Sequence, residues 1–402
     1  MTNSNQPTKL WNKDYILLLV CCLSAAITNS FFLSVFPVYV LDRGGSSAVI
    51  GTMASALIVA SVITRTVFGK LQDKFGRRTI MIIGAVLYTL NTMAYIFLKD
   101  ITSLYVLRFM NGITQGIYFG AAGTFVADLV PEDKLVEGIG YFSMMGTATL
   151  FFVPTLGSYL YNAVGSLPVF VIITITAGIG IFAGVSISPK YNFAAKTEGK
   201  SKEKSHKFKK QFSIKGIFEP KVIAPSLFFA LTYVCYSAIT NYLTPFGKEI
   251  NLTSISVWFT FESIMSMAMK LSVGKIVKKI NPSNILIGSC VLMALSLFVL
   301  SMTNGISFVI VSGVLFGLGI GIVPPILNSA VFKLVTPDRK GVASATYNVF
   351  ADIGNGLGGI MWGFVVGAVD YRMMFVLSGS VMFITLIVHF VLLRPKYING
   401  EL

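Results

Sequence analysis

Apolar and polar positions alternate along this chain in long blocks, not residue by residue. The apolar blocks are Tyr15–Val40, Ala48–Phe68, Thr79–Leu98, Ser103–Ala127, Val136–Tyr161, Leu167–Ile187, Val222–Thr244, Ser254–Val273, Asn284–Ser301, Phe308–Phe332, Val342–Val366 and Met373–Leu393. Each is near the ~20 residues that a helix needs to cross hydrocarbon. A barrel strand is about half as long and alternates between two faces, so barrels are excluded. In lipid the backbone has to satisfy its own hydrogen bonds, which leaves the helix. The pattern predicts an all-α integral membrane protein of twelve transmembrane helices in two six-helix, pseudo-symmetric bundles. Residues 1–189 form the first bundle, 190–221 a Lys-rich linker and 222–402 the second.

An internal echo supports the division. Leu129-Val130-Pro131-Glu132-Asp133-Lys134 returns as Leu334-Val335-Thr336-Pro337-Asp338-Arg339-Lys340, and Gly69-Lys70-Leu71 as Gly274-Lys275-Ile276. The offset is close to half the chain, as expected for two parallel repeats.

Composition agrees. The chain is 54% apolar and 12% charged, with a mean hydropathy of +0.75, whereas soluble domains carry about 25% charged residues. The net charge of +15 does not imply a nucleic-acid partner, because the cations lie in the loops between spans, where orientation demands them. Anionic lipid is the partner they fit. Arg43, Lys99, Lys248 and Arg372 fall on the opposite face from the cation-rich loops. The cation-rich face is therefore expected to be cytoplasmic, with both termini and the linker on it, in the cell (plasma or inner) membrane. Cys21, Cys22, Cys235 and Cys290 lie inside spans and read as small apolar residues; they form neither a disulfide framework nor a metal spacing. The first apolar run is too long for the core of a cleavable signal.

One polar stretch stands out: Gly69 to Arg78, read as a short loop between two apolar runs, with four cations, one carboxylate and two glycines. As a bare pattern it is a solvated turn. In detail it closely resembles the signature loop of the major facilitator superfamily, Gly-x-Leu-x-Asp-x-x-Gly-Arg-Arg/Lys, matched by Gly69, Leu71, Asp73, Gly76, Arg77 and Arg78. In the second half the motif has degenerated: Lys278 stands where Asp73 would, and Pro282 and Ser283 replace the Arg pair. The resemblance implies that an acid at the end of span 4, here Asp128, pairs with Arg77. With Asp73 it would latch the first half in one conformation; a surface ion pair of at most ~1 kcal/mol is the plainer reading.

A charge in the bilayer core is costly and marks a functional hypothesis. Arg108 in span 4 either snorkels or binds a backbone carbonyl, or, by the spacing Arg108 to Gly112 that resembles proton-coupled antiporters of the superfamily, influences carboxylate protonation. Glu262 in span 8 and Asp352 in span 11 are the acids that could carry a proton. Asp352 is slightly favoured for its Gly-rich setting, and Glu262 has Lys270 two turns away as a structural partner. Span 5 carries Gly146, Pro154 and Gly157, a partial match to the antiporter motif that a Pro kink explains equally well. Asn29, Gln115, Tyr118, Tyr236, Asn241 and Tyr242 are the candidate substrate contacts near the midplane.

The expected function is that of a secondary transporter, most similar to bacterial drug and metabolite proton antiporters. Exporting a small amphipathic molecule by alternating access, it would run as a monomer on the proton gradient. It would need no further cofactor and no metal. Uptake by symport or facilitated diffusion is the nearest rival; a membrane sensor is less favoured for its short tails. An enzyme is not expected, since His206 and His389 stand apart, and no phosphate-binding Gly-x-x-x-x-Gly-Lys-Ser/Thr loop occurs. The topology is checked by cysteine labelling from outside in a cysteine-free background. A thiol at Ser46 or Asn251 should react, and one at Ser205 should not; strong labelling at 205 would overturn the orientation.

Overall fold

A computed structural model of the chain describes residues 9–131, 134–189, 219–336 and 339–398. Most of the expected linker, residues 190–218, lies outside the described residues. The described residues form α1 (Lys13–Asp42), α2 (Ser47–Phe75), α3 (Arg77–Phe97), α4 (Ile101–Leu129), α5 (Leu135–Leu150), α6 (Val153–Val164) and α7 (Ser166–Ser186). A 3-10 turn, Pro220–Val222, then leads into α8 (Ile223–Glu249), α9 (Val257–Ile276), α10 (Pro282–Ser301), α11 (Ile306–Ile320), α12 (Val323–Lys333), α13 (Lys340–Ala368) and α14 (Tyr371–Val388). A π-helical turn, His389–Leu393, and the short α15 (Arg394–Ile398) follow.

Short polar residues set several starts. Asn12 accepts from Tyr15 N–H at 2.9 Å before α1, Asp100 from Ser103 N–H at 2.8 Å before α4, and Asp370 from Met373 N–H at 2.6 Å before α14. The Ser103 N–H holds the Asp100 carboxyl below its ordinary pKa.

Three expectations about element bounds need correction. The signature stretch is not a loop. Helix α2 runs through it to Phe75 and α3 begins at Arg77, leaving Gly76 as the single non-helical residue. The reason is local: Lys70 to Phe75 contains no helix breaker, and Gly76, at φ +87°, reverses the chain where a side chain would be strained. Spans 5 and 10 are each two helices. The first divides at Phe151–Phe152, ahead of Pro154, and the second at Gly321–Ile322, ahead of Pro324 and Pro325. Proline near a helix start is favoured, whereas inside a helix it costs a hydrogen bond.

Among the described residues, ten helical stretches are long and apolar enough to cross a membrane. Helices α4 and α9 fall outside that set because polar residues dilute them: Arg108, Asn111 and Gln115 in α4, and Glu262 and Lys270 in α9. With these two polar helices counted, the described residues hold twelve helical stretches long enough to cross.

The chain divides into two compact units, one of residues through Ser46 and from Ala56 to Lys196, the other of Ser47–Ser55 and residues from Thr197 on. The internal repeat reappears as packing. In the first unit α1 lies against α7 and against α5 and α6, while α3 lies against α4 and α7. In the second, α8 lies against α14 and α13, and α10 against α11 and α14. Glycines make the closest approaches. In the first unit Gly112 of α4 meets the Leu57 carbonyl, and a Cβ on Gly116 would stand 2.8 Å from the Ser61 carbonyl. In the second unit a Cβ on Gly313 of α11 would stand 2.7 Å from the Trp258 carbonyl, and Gly317 meets the Glu262 carbonyl. Four-residue spacing on both partners is the small-residue packing that draws helices together in lipid.

Gly317→Ala should therefore lower thermal stability by about 1–3 kcal/mol, the cost of forcing backbone apart in a packed core. Gly274→Ala, where a Cβ meets nothing within 4 Å, should be neutral or stabilising by up to ~1 kcal/mol. Melting of the purified variants checks the pair, and equal losses at both sites would contradict the packing.

Candidate functional site

The signature residues gather at one end of the first unit. Arg77 donates from Nη1 to Asp128 Oδ1 at 2.7 Å and to the Thr124 carbonyl at 3.2 Å. Gln72 Oε1 accepts from Thr124 Oγ1 at 2.9 Å, tying α2 to α4. Arg78 donates to the Val185 carbonyl at 2.7 Å and to the Ile187 carbonyl at 2.9 Å. A cation here meets the unpaired carbonyls at the end of α7 and the negative end of its dipole. The structure thus separates the Arg pair: Arg77 holds α4, and Arg78 caps α7. The surroundings of Gly69 and the side chain of Asp73 lie outside what the structure describes. The Arg77 and Asp128 side chains keep 32% and 17% of their exposure and Asp128 Oδ2 is buried without a partner, so solvent screens the pair only in part and its contribution is of order 1 kcal/mol.

Deeper in the first unit, Gln115 Nε2 of α4 donates to Asn29 Oδ1 of α1 at 3.0 Å and to Asn111 Oδ1 at 2.8 Å. Two of the expected contacts, Asn29 and Gln115, are therefore brought together. Tyr118 turns away: its hydroxyl donates to the Cys21 carbonyl at 2.8 Å, in the apolar core of that unit. Arg108 is part-buried, and its Nε and Nη1 meet no backbone carbonyl. Its guanidinium carbon lies 4.5 Å from the Phe36 ring centre and 5.7 Å from that of Phe32, beside the Tyr95 hydroxyl.

In the second unit an aromatic series crosses four helices. Tyr347 of α13 stacks on Phe229 of α8 with ring centres 4.3 Å apart. Phe229 meets Tyr233 at 4.7 Å, Tyr233 meets Tyr236 at 5.9 Å, and Tyr236 stacks on Phe316 of α11 at 5.6 Å. Phe316 meets Trp258 of α9 at 5.4 Å, and the indole N–H donates to Ser312 Oγ at 2.9 Å. Glu262 and Asp352 both lie within electrostatic reach of Tyr233. Glu262 is only 4% exposed, accepts from Ser263 Oγ at 3.2 Å and lies within electrostatic reach of Lys270. Asp352 is half-buried.

The remaining candidates divide. Tyr236 belongs to the aromatic series. Asn241 donates to the Ser237 carbonyl of its own helix at 2.9 Å. Tyr242, fully buried, donates to the Gly359 carbonyl at 2.6 Å and packs α8 on α13. Sequence reasoning did not single out Tyr233, Phe316, Tyr88 or Tyr95. For three of them the signal was available as aromatics on one helix face: Phe229-Tyr233-Tyr236, spaced four and three residues apart, and Tyr88 and Tyr95, seven apart.

Helices long enough to span a membrane, a repeated packing scheme and charges enclosed within the bundles define a polytopic membrane transporter. The chain belongs to the Major Facilitator Superfamily, whose family model matches residues 18–359 and 255–401. It is 20% identical over 369 residues to an uncharacterized MFS-type transporter of Methanocaldococcus jannaschii, covering 91% of this chain and 94% of that one. It is 21% identical over 355 residues to the quinolone resistance protein NorA of Staphylococcus aureus, covering 88% and 89%. Among solved structures, a POT family transporter in complex with 5-aminolevulinic acid superposes with a TM-score of 0.81 at 13% identity, covering 99% of this chain and 100% of that one. The nucleoside transporter NupG gives 0.75 at 15%, covering 94% and 99%.

A double-mutant cycle of Arg77→Gln with Asp128→Asn should return a coupling of about 1 kcal/mol or less, because the pair is half-solvated. Melting of the four proteins measures it, and a coupling of several kcal/mol would mean that the pair is closed off from water.

Proposed function

We propose that this protein is a secondary active transporter that exports a small amphipathic molecule in exchange for protons, by alternating access. The observation that carries the reading is the aromatic series of the second unit, with Glu262 and Asp352 within electrostatic reach of its Tyr233. Tyr233 and Tyr236, the two rings of the series that are only part-buried, offer a surface for a planar, apolar portion of a substrate. Two carboxylates in a low-dielectric setting offer a place for a proton or for a substrate cation, and not readily for both at once. Such competition is what exchange requires: a proton entering displaces the substrate, and a substrate arriving displaces the proton. The NorA relatives support export, at an identity that leaves the substrate to experiment.

Glu262 is the stronger of the two as coupling acid, which reverses the slight preference for Asp352. It is nearly sealed from solvent, and α11 packs on its backbone through Gly317. Asp352, less enclosed, is better placed to meet substrate. The Arg77–Asp128 pair belongs to the moving parts: too weak to lock the first unit, it is suited to making and breaking in each cycle. The signature end is taken as cytoplasmic.

Everted vesicles loaded with the purified protein test the reading. An imposed proton gradient, acid inside, should drive accumulation of a planar amphipathic dye. Glu262→Gln should abolish accumulation while leaving binding within a few-fold of wild type. Asp352→Asn should weaken binding instead. Gradient-driven loss of dye from the vesicles would establish uptake, and wild-type accumulation by Glu262→Gln would remove that residue from coupling.

A further inference from the structure

The repeat gives the charged residues at the signature end of the first unit counterparts in the second. At the offset that sets Leu334 opposite Leu129, Asp73 answers to Lys278, Arg77 to Pro282 and Asp128 to Lys333. The ion pair of the first unit is thereby lost from the second: one partner has become a proline and the other has reversed its charge. In that place the second unit has a cavity of about 340 Å³, and Pro282 and Lys333 are among the residues that line it.

The cavity follows from the break in span 10. As far as Gly321 the chain lies close on α9, where a Cβ on Gly321 would stand 2.6 Å from the Ser266 carbonyl. Beyond the break α12 packs chiefly against α13 and α8, and the space it leaves beside α9 is the cavity. Val273 and Val277 of α9 form one wall, and Pro325, Ile326 and Lys333 of α12 lie along the other. From Pro325 to Lys333 the helix rises about 12 Å at ~1.5 Å per residue. The end within the span is thus apolar, and the end at the membrane face carries an ammonium. No carboxylate lines the cavity, and among the described residues none is paired with Lys333. Lys275, Lys278 and Lys279 follow the α9 wall in the chain, and all three are exposed. An apolar slot with only cations at its mouth suits an amphiphile with an anionic head, which a membrane leaflet supplies.

We propose that this cavity binds one anionic phospholipid of the adjoining leaflet, with an acyl chain along Val273, Val277 and Ile326 and the phosphodiester at Lys333. A soluble anion leaves the apolar length unused. A zwitterionic lipid brings a further cation to a mouth that already holds only cations, and like charges placed together oppose binding. In the first unit the same position is taken by the protein itself, through Arg77 Nη1 on Asp128 Oδ1 at 2.7 Å. The site is independent of the exchange reading above, because it requires binding and not transport.

The test is thermal melting of the purified full chain in a neutral detergent at constant ionic strength. The protein is titrated with phosphatidylglycerol, with phosphatidylcholine of the same chains, or with glycerol phosphate, which is the head without the chains. A ligand that binds only the folded protein raises its melting point saturably. Phosphatidylglycerol should raise that of wild type by several degrees, and the other two should not. Lys333 is exposed, so Lys333→Gln removes the charge without disturbing packing. It should raise the half-saturating concentration about tenfold, as the loss of one charge-assisted contact does. Gly274→Leu fills the cavity from a position where a Cβ meets nothing within 4 Å. It keeps every surface cation and should abolish the response, which separates a built site from general attraction to the lysines. An equal rise with phosphatidylcholine, a saturable rise with glycerol phosphate, no rise in wild type, or an unchanged half-saturating concentration in either variant would overturn the proposal.

Discussion

Hydrocarbon gives a polar atom no partner, and this constraint shapes the whole molecule. Backbone groups answer it by forming helices. Side chains answer it by bonding their own helix, as Thr28, Thr89, Thr174 and Ser226 do to the carbonyl four residues back. What remains after these local solutions is informative. The two long helices that fail as plainly apolar spans, α4 and α9, are those that hold Arg108 and Glu262. Each therefore depends on its unit to shelter what lipid would reject.

The two units solve this differently on one packing plan. The four-residue glycine spacing of α4 against α2 recurs in α11 against α9, and Glu262 stands where the first unit has Ser61. The same close helix contact therefore carries a hydroxyl in one unit and a carboxylate in the other. Arg108 of α4 has Val309 as its counterpart on α11 by the same spacing from the glycine. Duplication supplied the scaffold, and divergence placed a cation in one bundle and acids in the other.

The signature end shows how weak interactions suit moving parts. Gln72, Thr124, Arg77 and Asp128 link α2, α3 and α4 through single, half-solvated contacts. In the second unit the corresponding end is tied by Glu219 and Arg339, with side chains 5% and 38% exposed, and the Glu219 backbone N–H donates to Thr346 Oγ1 at 3.1 Å.

The hydropathy blocks determined that the chain is helical, membrane-spanning and duplicated, because bilayer thickness and backbone satisfaction leave no other solution to runs of that length. The signature residues determined the family, since Gly76 is needed for a one-residue reversal and Arg77 for the Asp128 contact. Tertiary structure alone decided which polar residues meet. Tyr118 and Tyr242 look like Tyr236 in sequence, yet the first two spend their hydroxyls on carbonyls of neighbouring helices while Tyr236 stacks in the aromatic series. For Arg108 the sequence offered either a functional role or a snorkelling cation; only the tertiary structure sets it over the Phe32 and Phe36 rings and beside Tyr95, from two other helices. Periodicity places a residue on a face of its own helix. What that face meets depends on the crossing of helices far apart in the chain, and no local pattern encodes it.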